Sequence, residues 1–310
     1  MFLKKITIIT SIIIVSVLFS VTESKAMILP TDRADSLIVN QLRSKGVHFS
    51  KNNSVALLKS GQEKFNDMFK AIEQAKSSIH LEYFNFRNDS INKELIKRLA
   101  VKAKEGVEVR AVFDGFGNAS NNRPMTKAYL KEIRKMGIEI YNFKPLQFPW
   151  FHCIFNRDHR KIVVIDGKIA YTGGMNVADY YIKGTKVVGS WHDMHCRIEG
   201  DEVNTLQKIF FKMWYLVSGQ KLQGAKYFRG ISNAHYIKGL IPDTSATAGK
   251  KMVGIINREP HITKDIIRYF YVNAINDAKD SIKLINPYFT LNHNLMKALK
   301  NAVKRRSEEH

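Results

Sequence analysis

Between residues 61 and 143 the apolar positions switch repeatedly between helical and strand spacing. Phe65, Met68, Phe69, Ile72 and Ala75 recur at intervals of three and four, as one face of a helix does. Ser78 to Phe84 then reads as a strand, and Leu95, Ile96 and Leu99 mark the inner side of a helix over Ile91 to Lys104. Glu105-Gly106 ends that helix, and Val107 to Phe113 forms a β-rich strand closing at Asp114. Gly115 to Asn122 is a turn-rich loop, Thr126 to Met136 a helix, and Ile138 to Phe143 a strand. Lys161 to Ile165 and Ile169 to Thr172 flank Asp166-Gly167, a hairpin signal. Strands alternating with helices predict an α/β fold, with a mixed, largely parallel sheet flanked by helices.

The same pattern returns later in the chain. Ala71-Ile72, Ala75-Lys76, Ser78-Ile79 and Leu81 recur as Ala274-Ile275, Ala278-Lys279, Ser281-Ile282 and Leu284. Tyr83-Phe84 recurs as Tyr288-Phe289, and Leu95, Lys97, Leu99 and Lys104 match Leu295, Lys297, Leu299 and Lys304. The expected organisation is an export segment at 1–26, a polar lead-in at 27–54 and a lobe at 55–225. A linker at 226–262 and the opening elements of a second, similar lobe at 263–310 complete it.

Charge and the first residues set the setting. A formal net charge of +21, spread along all 310 residues, suits a polyanion: nucleic acid or an anionic lipid leaflet. The alternative is a surface that lysine keeps soluble. Lys4-Lys5, an apolar run from Ile6 to Phe19 and Ser24-Lys25-Ala26 make a secretory signal pattern, cleaved or kept as an anchor. The protein is therefore expected to be exported, on the outer face of the cell membrane. The two cysteines, Cys153 and Cys196, are free to pair in that compartment, although nothing in their spacing requires it. His192, Asp193 and His195 are too few for a metal site, and no cofactor is expected.

The chemistry concentrates at His159-Arg-Lys161, followed by Asp166 and Gly173-Gly174-Met-Asn176. On a strand, the period of two would point the imidazole and the ammonium to one face. Two glycines let backbone approach a ligand, and an amide follows. A nucleophilic ring beside a cation suits attack on a phosphodiester. Each residue also has a bland role: Asp166 as turn former, the glycines as loop. Lys144 to Phe155, with Pro145, Phe148, Pro149, Trp150 and Phe151, is either an apolar wall for substrate or ordinary core.

His159-x-Lys161-x4-Asp166-x6-Gly173-Gly174-x-Asn176 resembles the signature of the phospholipase D superfamily. Similarity to bacterial cardiolipin synthases extends to Glu82-Tyr83-Phe84, Asp114 to Gly117, Asn122 to Pro124, Trp191 to Gly200 and Asn286 to Phe289. The resemblance implies a lobe that meets a second one across a pseudo-two-fold axis. It implies phosphatidyl transfer, with His159 attacking phosphorus and a second motif's histidine serving as acid and base. Lys161, Asn176 and Gly174 would hold the phosphate oxygens. Asp166 would orient its surroundings, and Glu82, Asp193 and His195 would support the site. The implied partner is phosphatidylglycerol at a membrane surface, giving cardiolipin and glycerol, or phospholipase hydrolysis with water as acceptor.

Two departures accompany the resemblance. His192 stands where arginine usually precedes the aspartate, and no second His-x-Lys occurs in these residues. The chain therefore reads as a C-terminally shortened member, which a homodimer would complete. An exported single-motif nuclease remains the alternative, and lipid is favoured over nucleic acid.

Overall fold

The computed structural model describes residues 7–9, 14–15, 33–145, 156–187, 189–229, 249–259, 265–286 and 289–308. Two compact units emerge: Lys51–Lys251, and Met1–Ser50 with Met252–His310.

The unit Lys51–Lys251 is built on one twisted sheet. Its strands are β1 (Phe49–Leu58), β2 (Ser78–Tyr83), β3 (Glu108–Asp114) and β4 (Glu139–Phe143), then β5 (Lys161–Ile165), β6 (Ile169–Gly173) and β7 (His195–Gly200). They lie in the order β1-β7-β6-β5-β2-β3-β4. The helices are α1 (Gly61–Gln74), α2 (Ser90–Lys104), α3 (Gly115–Ala119), α4 (Lys127–Lys135), α5 (Tyr180–Lys183) and α6 (Glu202–Ser218). Side chains of Ser60, Asp89 and Thr126 accept from backbone N–H groups in the first turns of α1, α2 and α4.

Strand register sorts the side chains between the two faces. Ile79, Leu81 and Tyr83 lie opposite Ile165, Val163 and Lys161, so this set shares one face. There Phe65, Met68 and Ile72 of α1 pack with Leu95 and Leu99 of α2. His80 and Glu82 lie opposite Val164 and Ile162 on the other face. That face meets α6, where Phe210, Met213 and Trp214 cluster with Val112. Full burial of one such side chain contributes about 1.5–3 kcal/mol.

The sheet is mixed, but its parallel part is confined to β2, β3 and β4. There α2 carries the chain from β2 to β3, and α3 and α4 from β3 to β4, while α1 joins β1 to β2. β5, β6 and β7 are antiparallel neighbours, and the three-residue loop 166–168 between β5 and β6 opens with Asp166 and Gly167 at φ of 53° and 62°, the Lys168 N–H donating to the Ile165 carbonyl at 2.9 Å.

Three expectations change. The polar lead-in contains a helix, Arg33–Ser44, and β1, which pairs antiparallel with β7. The loop after Asp114 begins with α3, because the Asp114 carboxylate caps Phe116 and Gly117. The expected linker begins with Tyr227 and Phe228 buried in the lobe, where the Tyr227 hydroxyl donates to Glu108 at 2.5 Å.

In the other unit, a helix at Ile266–Asp277, a strand at Lys283–Ile285 and a helix at His293–Glu308 follow one another along the chain. Leu42, Val47, Ile256, Ile266 and Phe270 form its core. Of residues 1–26, expected to form an export segment, only Thr7–Ile9 and Ile14–Val15 are described, as short strands. Among the described residues no helix is long and apolar enough to cross a membrane.

Candidate active site

Lys161 opens β5, and His159 lies two residues before it, outside regular secondary structure. A chain of carboxylates fixes this approach. Asp114, at the end of β3, accepts from Phe116 and Gly117 with one oxygen and from the Asp158 N–H with the other, at 2.9 Å. Asp158 in turn accepts from the Arg160 backbone at 3.2 Å and its Nε at 2.8 Å. Glu82 Oε1 lies 2.7 Å from the same Nε. Register puts Glu82 on the sheet face opposite Lys161. Its part is to grip the arginine between His159 and Lys161, and burial raises its carboxyl pKa while Arg160 opposes that shift.

The imidazole and ammonium do meet. Lys161 Nζ lies 3.2 Å from His159 Nδ1 and donates to the His159 carbonyl at 2.7 Å. The Phe84 ring sits against both, 4.7 Å from the imidazole and 5.5 Å from Nζ. His159 is exposed at one edge, yet surrounding protein, and then the Lys161 charge, lower its pKa from 6.5 to about 4. The ring is therefore neutral at pH 7. Burial lowers Lys161 to about 7 against the attraction of Asp158, Asp193 and Asp114. An ammonium only donates, so while Lys161 is charged Nδ1 accepts and the ring proton sits on Nε2. Neither nitrogen then has a free lone pair. Drawing the ammonium away to an anion frees Nδ1, and moving the ring proton there frees Nε2.

Behind this pair lies a second buried lysine. Lys64, on α1, donates to the carbonyls of Met175 and Asn176 at 3.2 and 3.0 Å. Its Nζ lies 4.2 Å from the Phe65 ring centre and 4.9 Å from that of Tyr83. Burial holds its pKa well below the usual lysine range, with Asp193 opposing and Lys161 adding to the shift. Burial likewise raises Asp193, which both lysines pull down. His195 is wholly buried, and neither ring nitrogen has a hydrogen-bond partner among the described residues. Burial, Lys64 and Lys161 all keep it neutral.

The remaining motif residues divide. Gly173 and Gly174 are explained by crowding: a Cβ at Gly173 would lie 2.6 Å from His195 Cα, and one at Gly174 would overlap the Asp193 carboxylate. The Gly174 N–H is already committed to the Met194 carbonyl at 2.9 Å. Asn176 uses its amide oxygen for the Asn85 N–H and its NH2 for the Tyr181 hydroxyl, both at 3.2 Å. Asp166 stands at the opposite end of β5, where its carboxylate accepts from the backbone of Lys76, Ser77 and Ser78 and from the Ser77 hydroxyl at 2.8–3.0 Å. It joins the hairpin to the end of α1, away from His159.

Sequence reasoning missed Lys64, Phe84 as a wall, and Asp158. Lys64 had a signal: it occupies a core-facing position beside Phe65 and Met68. The aromatic approach at Phe148 to Phe155 and Cys153 fall outside the described residues. Among the described residues, no cluster of His, Cys, Asp and Glu suits a metal ion.

Residues 68–214 match the family described as "Cardiolipin synthase, PLD-like domain". The chain is 35% identical over 80% of its length to a cardiolipin synthase of Geobacillus kaustophilus, covering 46% of that protein. It is 32% identical over 87% of its length to the probable cardiolipin synthase YwiE of Bacillus subtilis, covering 51% of it. The chain thus spans about half the length of the curated relatives it matches. A phosphatidylserine synthase structure from Haemophilus influenzae superposes with a TM-score of 0.58 at 13% identity, over 88% of this chain and 64% of that one. That likeness concerns the fold alone.

Proposed function

We propose that this phospholipase D-like domain of the cardiolipin synthase type carries out phosphatidyl transfer at His159, with phosphatidylglycerol as donor and acceptor. The observation that carries the reading is a neutral imidazole, open at one edge, 3.2 Å from a buried lysine. An incoming phosphodiester draws the Lys161 ammonium from Nδ1 to its non-bridging oxygens. The ring proton moves to Nδ1, and the freed Nε2 attacks phosphorus. The N–P bond forms as the P–O bond to one glycerol breaks. That alkoxide takes a proton from a second histidine, which then removes one from the hydroxyl of a second phosphatidylglycerol. The new P–O bond forms, N–P breaks, and cardiolipin leaves. Asn176, tied to Asn85 and Tyr181, steadies the wall of the site.

The second histidine has no counterpart of His-x-Lys type in these residues, so a second copy of the lobe is proposed to supply it. The export pattern and the charge of +21 support a location on the outer face of the membrane. The same charge supports the nuclease alternative. To test the reading, the purified chain is given phosphatidylglycerol vesicles or plasmid DNA, beside His159→Ala. Cardiolipin formed by the wild type and not by the variant is expected. Nicked plasmid with untouched lipid, or equal cardiolipin from both proteins, would overturn it. A strict monomer with full activity would remove the second-copy proposal.

A further inference from the structure

Lys64 and Lys161, on the different elements α1 and β5, both feel the charge of the same carboxylate, Asp193. Both side chains are wholly buried. Asp193 is the acidic group that influences both, with Asp158 and Asp114 bearing on Lys161 alone. Asp158 is already engaged by Arg160, and Asp114 by Arg157 and three backbone N–H groups. Two buried ammonium groups would thus divide one carboxylate, and a buried charge without a counter-charge is strongly disfavoured.

The hydrogen bonds of Lys64 fit this shortage. A neutral amine has two N–H groups, and Lys64 spends two on the carbonyls of Met175 and Asn176. The aromatic rings of Phe65 and Tyr83 wall the amine, and His195 beside it is held neutral. His159, on the open side of Lys161, is neutral as well. Among the described residues, no surrounding group supplies the missing negative charge. A phosphodiester does.

Resting on the reading of this site as a phosphodiester site, we propose that Lys64 and Lys161 act as one anion-responsive unit. A monoanion entering at His159 is met by a proton from solvent, so that both lysines become cationic together. The balance is one neutral lysine, one proton and one phosphodiester monoanion going to one ammonium ion with its bound anion. Lys64 is then a positioning residue. It never touches the phosphate, yet it sets how firmly Lys161 and the Met175–Asn176 backbone are held. Its lowered proton affinity agrees with the scheme and follows from the same burial.

Sulfate is the probe, because it does not titrate near neutral pH. Calorimetry on the full chain at pH 6, below the lowered Lys161 pKa of about 7, so that Lys161 starts charged, uses buffers of different ionisation enthalpy to count the protons taken up. Only the sulfate signal lost in Lys161→Met is assigned to this site. The wild type is expected to take up about one proton per sulfate, with affinity falling as pH rises, up to about tenfold per unit. Lys64→Met, similar in volume, is expected to reduce the uptake by at least half and flatten the pH dependence. A structural defect alone would weaken binding without changing the proton count. Absence of uptake in the wild type overturns the proposal, whatever becomes of the variants. So does uptake in a folded Lys64→Met protein equal to that of the wild type. Proton-linked sulfate binding in a chain that makes no cardiolipin would sink the proposed activity and leave this unit standing.

Discussion

The two ends of β5 carry residues of one motif and treat charge in opposite ways. At the far end, Asp166 is met by three backbone N–H groups and a hydroxyl, and these contacts lower its pKa against a smaller burial than Lys161 suffers. At the near end, Lys161 is fully buried, divides its attraction among carboxylates that serve other groups, and has its pKa lowered to about 7. The first end is saturated and stabilises the fold. The second is left short of partners, which is the condition of a site that awaits an anion. Common spacing in a sequence therefore does not mean a common task.

The comparison can be broken by substitution. His159→Ala should lower phosphatidyl transfer by at least about 10³-fold, as loss of a nucleophile does, with little change in urea unfolding because the ring is exposed. Lys161→Met should lower turnover by about 10²-fold or more and at the same time raise stability by about 1 kcal/mol, since a poorly compensated buried charge is removed. A loss of stability on that substitution would mean that the near end is as well satisfied as the far one. Asp166→Ala should do the reverse: destabilise by about 2 kcal/mol through its lost hydrogen bonds, with turnover per folded molecule within a few-fold of wild type. The smallest effect is in pH. The folded Asp166 pKa is depressed, so its stabilisation is complete above the unfolded value of about 3.9 and fades as pH falls through the folded one. The difference in urea unfolding between wild type and Asp166→Asn should accordingly be larger at pH 7 than at pH 3.

Much of this contrast was legible in the chain, and some was not. The alternation of strand and helix from Ser78 to Phe143 is local, and the elements follow it closely. β1 was hidden because Phe49 to Leu58 contains Ser50, Lys51, Asn52, Asn53 and Ser54, and pairing with β7 overrides that polarity. The His159 and Lys161 pair was readable from spacing. That Asp166 serves the backbone of 76–78 was not, because its partners lie about 90 residues earlier in sequence. Lys64 was passed over since a lysine in a helix ordinarily reads as solvated, although its neighbours Phe65 and Met68 marked the position as inward. Glu82 was readable as important but not as lying behind the sheet, which depends on register with Ile162.

The most direct test of the near end as the reacting one is to trap the bond that His159 is proposed to form. The chain is incubated with phosphatidylglycerol vesicles, quenched in alkali where a phosphoramidate survives, digested, and weighed by mass spectrometry. The account predicts a phosphatidyl adduct on the peptide that contains His159, and none after His159→Ala. Cardiolipin production with that peptide unmodified and the adduct on another residue would contradict it.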